Sequence, residues 1–364
     1  MKIFKKLLKQ GLVRPVSVAD AYPVRKSLKF LSAETFQTPE VVQMPLSQVS
    51  QAYAHTEVKS CDVNTHILED VLYCPEYRIL LTNKNRPILE SYNVIRSRED
   101  FNLKYIFNKD VEEISGLCTV LHHFDNNYYH ALLENLPRFY STCQHPLIKD
   151  EKKEVKLILS RHVSSQFFLN SFMPDNVIPH PVKEGKLYRL ERVIVSDFPV
   201  RQGTGCLPSF YRQKIYDPLL PKRSREKRHR IYISREKAYN CRHIVNEDEM
   251  LAVLDRHGFK KYLLETLSPQ EQIDLFYDAE MVLSPHGAGL TNMIFGSKLK
   301  VVELFSGSVA FPHYYYLSKA CGHEYTYAFG QPSQTKTPFQ KDIIAYSKNM
   351  NFTIDVDQIK RLFE

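Results

Sequence analysis

Residue types that could do chemistry gather in two stretches. In "VLSPHGAGLTNMIF" (282–295) an apolar run reaches Pro285 and His286, and Gly287 and Gly289 flank Ala288 before a segment with helical spacing. Glycines lack a Cβ, so backbone can come close to a ligand. The start of the following helix offers unpaired N–H groups and the positive end of a dipole, a place for a phosphate or diphosphate. His286 and Thr291 can add hydrogen bonds. A lone Gly-x-Gly also suits a plain strand–helix turn. Asn292 stands where a G-x-G-x-x-G fingerprint has its third glycine, which disfavours a nicotinamide or flavin site.

Neighbouring residues point the same way. Glu303 lies late in the strand-like "LKVVELF" (299–305), near the same sheet edge, and can accept from ribose hydroxyls or face solvent. Arg235, Lys237 and Arg242 follow the strand-like "RIYIS" (230–234) and can neutralise a diphosphate, arginine being suited to bidentate contact. They equally fit a basic surface loop.

The second stretch is "NNYYHALLENLPRFYSTCQ" (126–144), a helix by its apolar spacing, with His130, Glu134 and Arg138 at i, i+4 and i+8. Pro137 cannot donate to the carbonyl of Leu133, so the helix should kink there. Asp125 and Asn126 occupy the turn before it. Histidine, with an ordinary pKa of about 6.5, suits a general base at such a helix start. The same spacing is met by a solvated Glu134–Arg138 ion pair beside an idle histidine. No His, Cys and carboxylate set has metal spacing, so no metal is expected. "DVD" (355–357) reads as a helix cap, and no nucleophile motif appears.

These residues need elements to position them. Residues 1–115 are hard to read. From 117 strands and helices alternate: strand "LCTVLHH", the helix above, strand "VKLILS" (155–160), helix "SSQFFLNSFM" and a strand in "YRLERVIVSDF". The charged "PKRSREKRHR" (221–230) reads as a linker and domain boundary. After it the alternation sharpens, with Asn246, Glu249 and Gly258 as helix cap, capping-box residue and stop, then Ser268, Pro269 and Glu271 opening the next helix. The pattern predicts an α/β chain with a doubly wound parallel sheet, its ligands at the carboxyl ends of the strands. The expected division is 1–115, an N-terminal region joined to the next domain; 116–222, a Rossmann-like domain; 223–335, a second such domain; and 336–364, a tail and helix. Two such halves leave a cleft.

The 364 residues, 43% hydrophobic and 25% charged, suit a globular protein. No apolar run is long enough to span a membrane. The basic start "MKIFKKLLKQGLVRP" reads as a surface tail able to touch an anionic membrane, not as a signal peptide. Seven scattered cysteines without a C-x-x-C pair argue for a reducing compartment. A net charge of +8 attracts phosphates of any kind. The 221–230 cluster lacks the interleaved aromatics of a nucleic-acid site.

"FDNNYYHALLENLPRFY" (124–140), "YISREKAYNCRHIVNEDEM" (232–250), "LSPHGAGLTNMIF" (283–295) and "VVELF" (301–305) resemble, in that order, the family 61 glycosyltransferases. The similarity extends more weakly over about 115–364. The resemblance implies a GT-B-like architecture, two Rossmann-like domains facing across a cleft. It implies an inverting, metal-independent transfer from a nucleotide sugar, expected to be UDP-linked, with no further cofactor. His286, Gly287, Ala288, Gly289 and Thr291 would then hold the diphosphate, Arg235 would assist with Lys237 and Arg242 beside it, and Glu303 would touch the ribose. His130, Asp125 or Glu134 would be the base. Ala131 stands where many relatives carry an aromatic, so acceptor-side packing should differ. Bacterial-type relatives imply capsule or lipopolysaccharide assembly on a glycan or lipid-carrier-linked acceptor, in the cytoplasm or at the inner membrane face, with no nucleic-acid partner. A nonenzymatic nucleotide- or glycan-binding protein on the same scaffold is the alternative.

Overall fold

The computed structural model describes residues 15–22, 26–37, 57–91, 110–121, 127–160, 166–200, 205–226, 229–238, 242–307, 311–333 and 351–363. Asp125 and Asn126 lie outside them. The chain divides into one unit of Met1–Glu34 and Ser60–Gly203 and another of Thr35–Lys59 and Thr204–Glu364.

In chain order the strands are β1 (Lys26–Leu31), β2 (Thr35–Gln37), β3 (Glu57–Lys59), β4 (Val63–Cys74), β5 (Ile79–Leu81), β6 (Val111–Val120), β7 (Val155–Leu159), β8 (Val177–Pro181), β9 (Leu187–Ser196), β10 (His229–Ile233), β11 (Phe259–Tyr262), β12 (Ala279–Pro285), β13 (Lys300–Ser306), β14 (Glu324–Pro332) and β15 (Phe352–Thr353).

The first unit is built on a mixed sheet of order β1-β4-β9-β6-β7-β8, with β5 on β4. Strands β9, β6, β7 and β8 are parallel, as the alternating pattern predicts. Strands β1 and β4 extend that sheet antiparallel, so it is not the purely parallel sheet expected. Its core joins Leu68, Val71, Cys118, Ile158, Leu190 and Val193. Edge strand β8 carries Pro179 and Pro181, which cannot donate to another strand.

The second unit holds the doubly wound sheet, order β11-β10-β12-β13-β14-β15. The first five strands are parallel, and their chain order across the sheet is second, first, third, fourth, fifth. Winding reverses between β10 and β12, and such a switch point opens a crevice at the strands' carboxyl ends. Helix Glu247–Arg256 packs with Val356–Arg361, while helix Ala288–Phe295 packs with Pro269–Tyr277 and His313–Cys321.

Local signals explain much of this unit. Ser268 accepts from the Glu271 N–H, Glu271 reaches back to Ser268, and Pro269 fills the first turn. Gly258 ends the preceding helix at φ 76. Asn246 stands at that helix's N-cap without capping it; its side chain bonds both the N–H and the C=O of Ile354 instead. Asp355 caps the last helix by accepting from the Asp357 N–H, as read from sequence.

Three boundaries differ from those the sequence suggests. The division falls at Gly203/Thr204, ahead of the charged stretch at 221–230. Within that stretch Arg223 grips Asp278 with both terminal guanidinium nitrogens, and Arg225 lies over the Tyr277 ring and donates to the carbonyls of Tyr277 and Phe295. These contacts tie it to the second unit rather than leaving it as a linker. The hairpin of β2 and β3 also joins that unit, Phe36 packing with Phe305 and Tyr315. The C-terminal piece is no loose tail: β15 pairs with β14, and Phe352 and Ile359 are core residues.

Among the described residues no helix is long and apolar enough to cross a membrane.

Candidate functional site

The site of the second unit forms at its switch point. Strand β12 is buried at every position but Glu280 and delivers His286 and Gly287 to the carboxyl edge. Gly287 has φ −179, which any residue can adopt, so its glycine is a matter of space. A Cβ there would fall on Nη1 of Arg235, which arrives from the end of β10. At Gly289 a Cβ would meet Leu264 Cδ1 at 2.9 Å, a packing constraint against the neighbouring layer. The 3-10 helix Ala288–Phe295 then begins, and its opening amides lie outside the helix ladder. Backbone donors and a guanidinium thus converge on one edge, the equipment of an anion site.

Arg242 braces this edge. It holds φ 82, its N–H and that of His243 bond Asn351 Oδ1 at 3.1 and 3.0 Å, and its Nη1 donates to the carbonyl of His286 at 2.7 Å. Lys237 is exposed in the turn after Arg235.

His286 is fixed from behind. Its Nδ1 is bonded to Glu303, and its ring packs against Phe305, Phe311 and Tyr314 at centroid distances of 5.6, 5.3 and 5.5 Å. Glu303 is fully buried, and its second oxygen accepts from Tyr325 Oη at 2.6 Å. Burial pushes its carboxyl up to about 8, against the Tyr325 hydrogen bond and the Arg242 charge, which act to lower it. Glu303 is therefore a partner of His286 inside the protein rather than a carboxylate at the sheet edge. Thr291 is also fully buried, with its hydroxyl toward the Tyr314 phenol. Sequence reasoning missed Phe305, Phe311, Tyr314 and Tyr325; the aromatic run "FPHYYY" was the available signal for two of them.

In the first unit the helix of the second stretch is interrupted as expected, by a specific device. Residues Ala131–Asn135 form a π-turn between Tyr128–His130 and Leu136–Cys143, and the Leu136 N–H reaches back to the carbonyl of Ala131. Pro137, lacking an N–H, suits this exit from the ladder, and π-turns recur at functional sites. Asn127 caps the start, its Oδ1 accepting from the Tyr129 N–H at 3.1 Å.

The turn brings His130 Nδ1 within 2.8 Å of Glu134 Oε2. The histidine side chain is 22% exposed and the carboxylate 1%. With Glu134 as the acceptor in this bond, Nδ1 carries the hydrogen and Nε2 keeps the lone pair a base requires. Arg138, expected on the same stripe, instead donates to the carbonyls of Ser196 and Glu90 at 2.6 and 3.0 Å and stacks on Phe198. Among the described residues Glu134 Oε1 and both amide atoms of Asn135 are buried without a hydrogen-bond partner. Each such group costs about 1–3 kcal/mol until a polar ligand satisfies it, which adds Asn135 to the candidates. Asp125 lies outside the described residues. Among the described residues no group of three or more His, Cys, Asp or Glu could hold a metal.

No curated protein matches the chain. Residues 128–302 match the family model described as Glycosyltransferase 61, a stretch that starts beside His130 and contains Arg235 and the His286–Thr291 loop. The match supports a family 61 glycosyltransferase, and with it glycosyl transfer as the general reaction.

Proposed function

We propose that this protein is an inverting, metal-independent glycosyltransferase of GT-B-like organisation. It moves a sugar from a nucleotide sugar, UDP-linked, to a hydroxyl of a glycan or lipid-carrier-linked acceptor in cell-surface polysaccharide assembly of the capsule or lipopolysaccharide type, at the cytoplasmic side of the membrane. The observation that carries the reading is the placement of Arg235 directly over Gly287 at the switch point of the second unit. A guanidinium and helix-start amides aimed at one spot stabilise the charge that develops on a leaving diphosphate.

The geometry supports the following roles. Arg235 and the amides of Ala288 and Gly289 bind the diphosphate, with Lys237 adding charge at the rim. Arg242 keeps the His286 backbone in place, and His286 presents Nε2 to a phosphate oxygen. Glu303 acts through His286, a positioning role in place of the ribose contact. His130, oriented by Glu134, takes the proton from the acceptor hydroxyl, which attacks the anomeric carbon from the face opposite the nucleotide. Asp125 is the alternative base. The unsatisfied amide of Asn135 supports a hydroxyl-bearing acceptor on this side.

Calorimetry tests the donor site. UDP, GDP, ADP, CDP and CMP are titrated with EDTA present into wild type and Arg235→Ala. Selective binding of UDP that weakens tenfold or more in the variant, about 1.4 kcal/mol, is expected. Folded protein that binds no nucleotide overturns the reading. A protein that binds UDP but transfers no sugar would be a binding protein and not this enzyme, and transfer that is indifferent to His130→Ala and to Asp125→Asn overturns the assignment of the base.

A further inference from the structure

A third histidine, far in sequence from either site, lies in a chain of hydrogen bonds that the glycosyl transfer leaves unused. Ser27 on β1 and His66 on β4 are directly opposed in the antiparallel register, so their side chains share one face of the sheet. Ser27 Oγ is 2.8 Å from His66 Nδ1. His66 Nε2 is 3.1 Å from Oδ1 of Asp197, the residue just past the end of β9. Asp197 Oδ2 accepts from the N–H and the Nδ2 of Asn64 at 3.0 and 2.8 Å.

The protonation pattern follows from these partners. Burial works to raise the Asp197 carboxyl, and the hydrogen bonds from His66 and Asn64 outweigh it, leaving it below the usual carboxylate range. An ionised Asp197 only accepts, so His66 carries its hydrogen on Nε2 and turns the Nδ1 lone pair to the Ser27 hydroxyl. His66 and Asp197 are each 7% exposed, while Ser27 is half-buried at the outer end of the chain. Among the described residues strand β1 ends the sheet. Amides alternate in direction along a strand, so the N–H of either Ser27 or Leu28 points away from β4 and is a candidate donor to an oxyanion formed on Ser27.

We propose that Ser27, His66 and Asp197 form a second, hydrolytic site that cleaves short-chain carboxylic esters. Ser27 Oγ attacks the ester carbonyl while its proton passes to His66 Nδ1. The C–O bond to the alcohol then breaks, and His66 returns the proton to the leaving oxygen, giving acyl-Ser27. Water, deprotonated by His66, attacks the acyl carbon; the carboxylic acid departs and Ser27 regains its proton. The sum is ester plus water to acid plus alcohol. The half-buried hydroxyl on an edge strand suits a small acyl group on an exposed alcohol.

The full-length chain is treated with a fluorophosphonate probe, followed by peptide mass spectrometry and by p-nitrophenyl acetate hydrolysis. Labelling concentrated on Ser27, lost in Ser27→Ala, is expected. Asp197→Asn offers an amide N–H to Nε2, forces the hydrogen onto Nδ1 and removes the base, so labelling should slow by about 10²- to 10⁴-fold. An unlabelled Ser27 in protein with an intact circular dichroism spectrum overturns the proposal. So does equal labelling of wild type and a folded Asp197→Asn. UDP binding measured on Ser27→Ala should equal wild type, which keeps this test separate from that of the donor site.

Discussion

Raising the pH through 8 should weaken nucleotide binding, and the His286–Glu303 pair sets by how much. Glu303 Oε2 is occupied by Tyr325, so the carboxyl proton lies between Oε1 and His286 Nδ1. Wherever that proton rests, Nε2 keeps a hydrogen: a neutral Glu303 donates to Nδ1, and an ionised one faces an imidazolium. Once the proton is lost, the carboxylate takes the Nδ1 hydrogen and Nε2 turns a bare lone pair toward the diphosphate. With the carboxyl at about 8, roughly half of the molecules retain the donor at pH 8 and about one in eleven at pH 9. Affinity should therefore fall about tenfold between pH 7 and pH 9, some 1.4 kcal/mol. The nucleotide's own phosphate, with a pKa near 6, has finished ionising by then. Calorimetry with UDP at pH 7, 8 and 9 reads the effect. In Glu303→Gln the amide donates to Nδ1 at every pH, so the profile should be flat. The same fall in Glu303→Gln, or a flat wild-type profile, refutes the reasoning. Folding carries a matching signature. A carboxyl raised from an ordinary 4.5 to about 8 contributes stability that is complete below 4.5 and lost as pH rises through 8. Glu303→Gln should thus lose less stability than wild type between pH 6 and pH 9 in urea unfolding.

Other perturbations separate binding, chemistry and stability. Gly287→Ala drives Arg235 off its position; UDP affinity should drop by about 10- to 100-fold, with a melting temperature within a few degrees of wild type in a thermal scan. Glu134→Gln offers an amide N–H to His130 Nδ1, which leaves Nε2 protonated; sugar transfer should slow by about 10²- to 10⁴-fold at unchanged UDP affinity in paired kinetics and calorimetry. Ser268→Ala removes the side-chain arm of the capping box, while the backbone N–H at 268 still donates to Glu271; it should cost about 1 kcal/mol in urea unfolding without touching UDP binding.

What the sequence discloses depends on how far apart the interacting residues are. Ser268, Pro269, Glu271 and Gly258 act on neighbours within one turn, and the helix ends they predict are where the chain places them. His130 and Glu134 are four apart, so their common face is legible, although the π-turn that closes their contact is not. Asn246 has a cap's identity and position, yet Ile354 claims its side chain from 108 residues away. His286 and Glu303 meet because β12 and β13 are adjacent and parallel, with Ser284 opposite Glu303. Sequence places both near one edge but says nothing of that register. Strands β2 and β3 have three residues each, too few for any periodicity to assign them to the second unit.

The two histidine sites use one arrangement, a buried glutamate behind Nδ1, for opposite ends. At His130 the proposed chemistry needs Nε2 to receive a proton, and Glu134 serves it by accepting from Nδ1. At His286 it needs Nε2 to give a hydrogen to a phosphate oxygen, which a proton retained by a fully buried Glu303 ensures. Replacing either glutamate by glutamine has the same local consequence: an amide N–H facing Nδ1 and a hydrogen fixed on Nε2. The functional consequences must then diverge. Glu134→Gln abolishes a base, so turnover falls while UDP still binds. Glu303→Gln preserves a donor, so UDP binding persists and extends to higher pH. Identical substitutions with opposite outcomes exclude a merely structural role for both pairs, because loss of packing or of a buried hydrogen bond would lower stability at both sites without choosing between turnover and affinity.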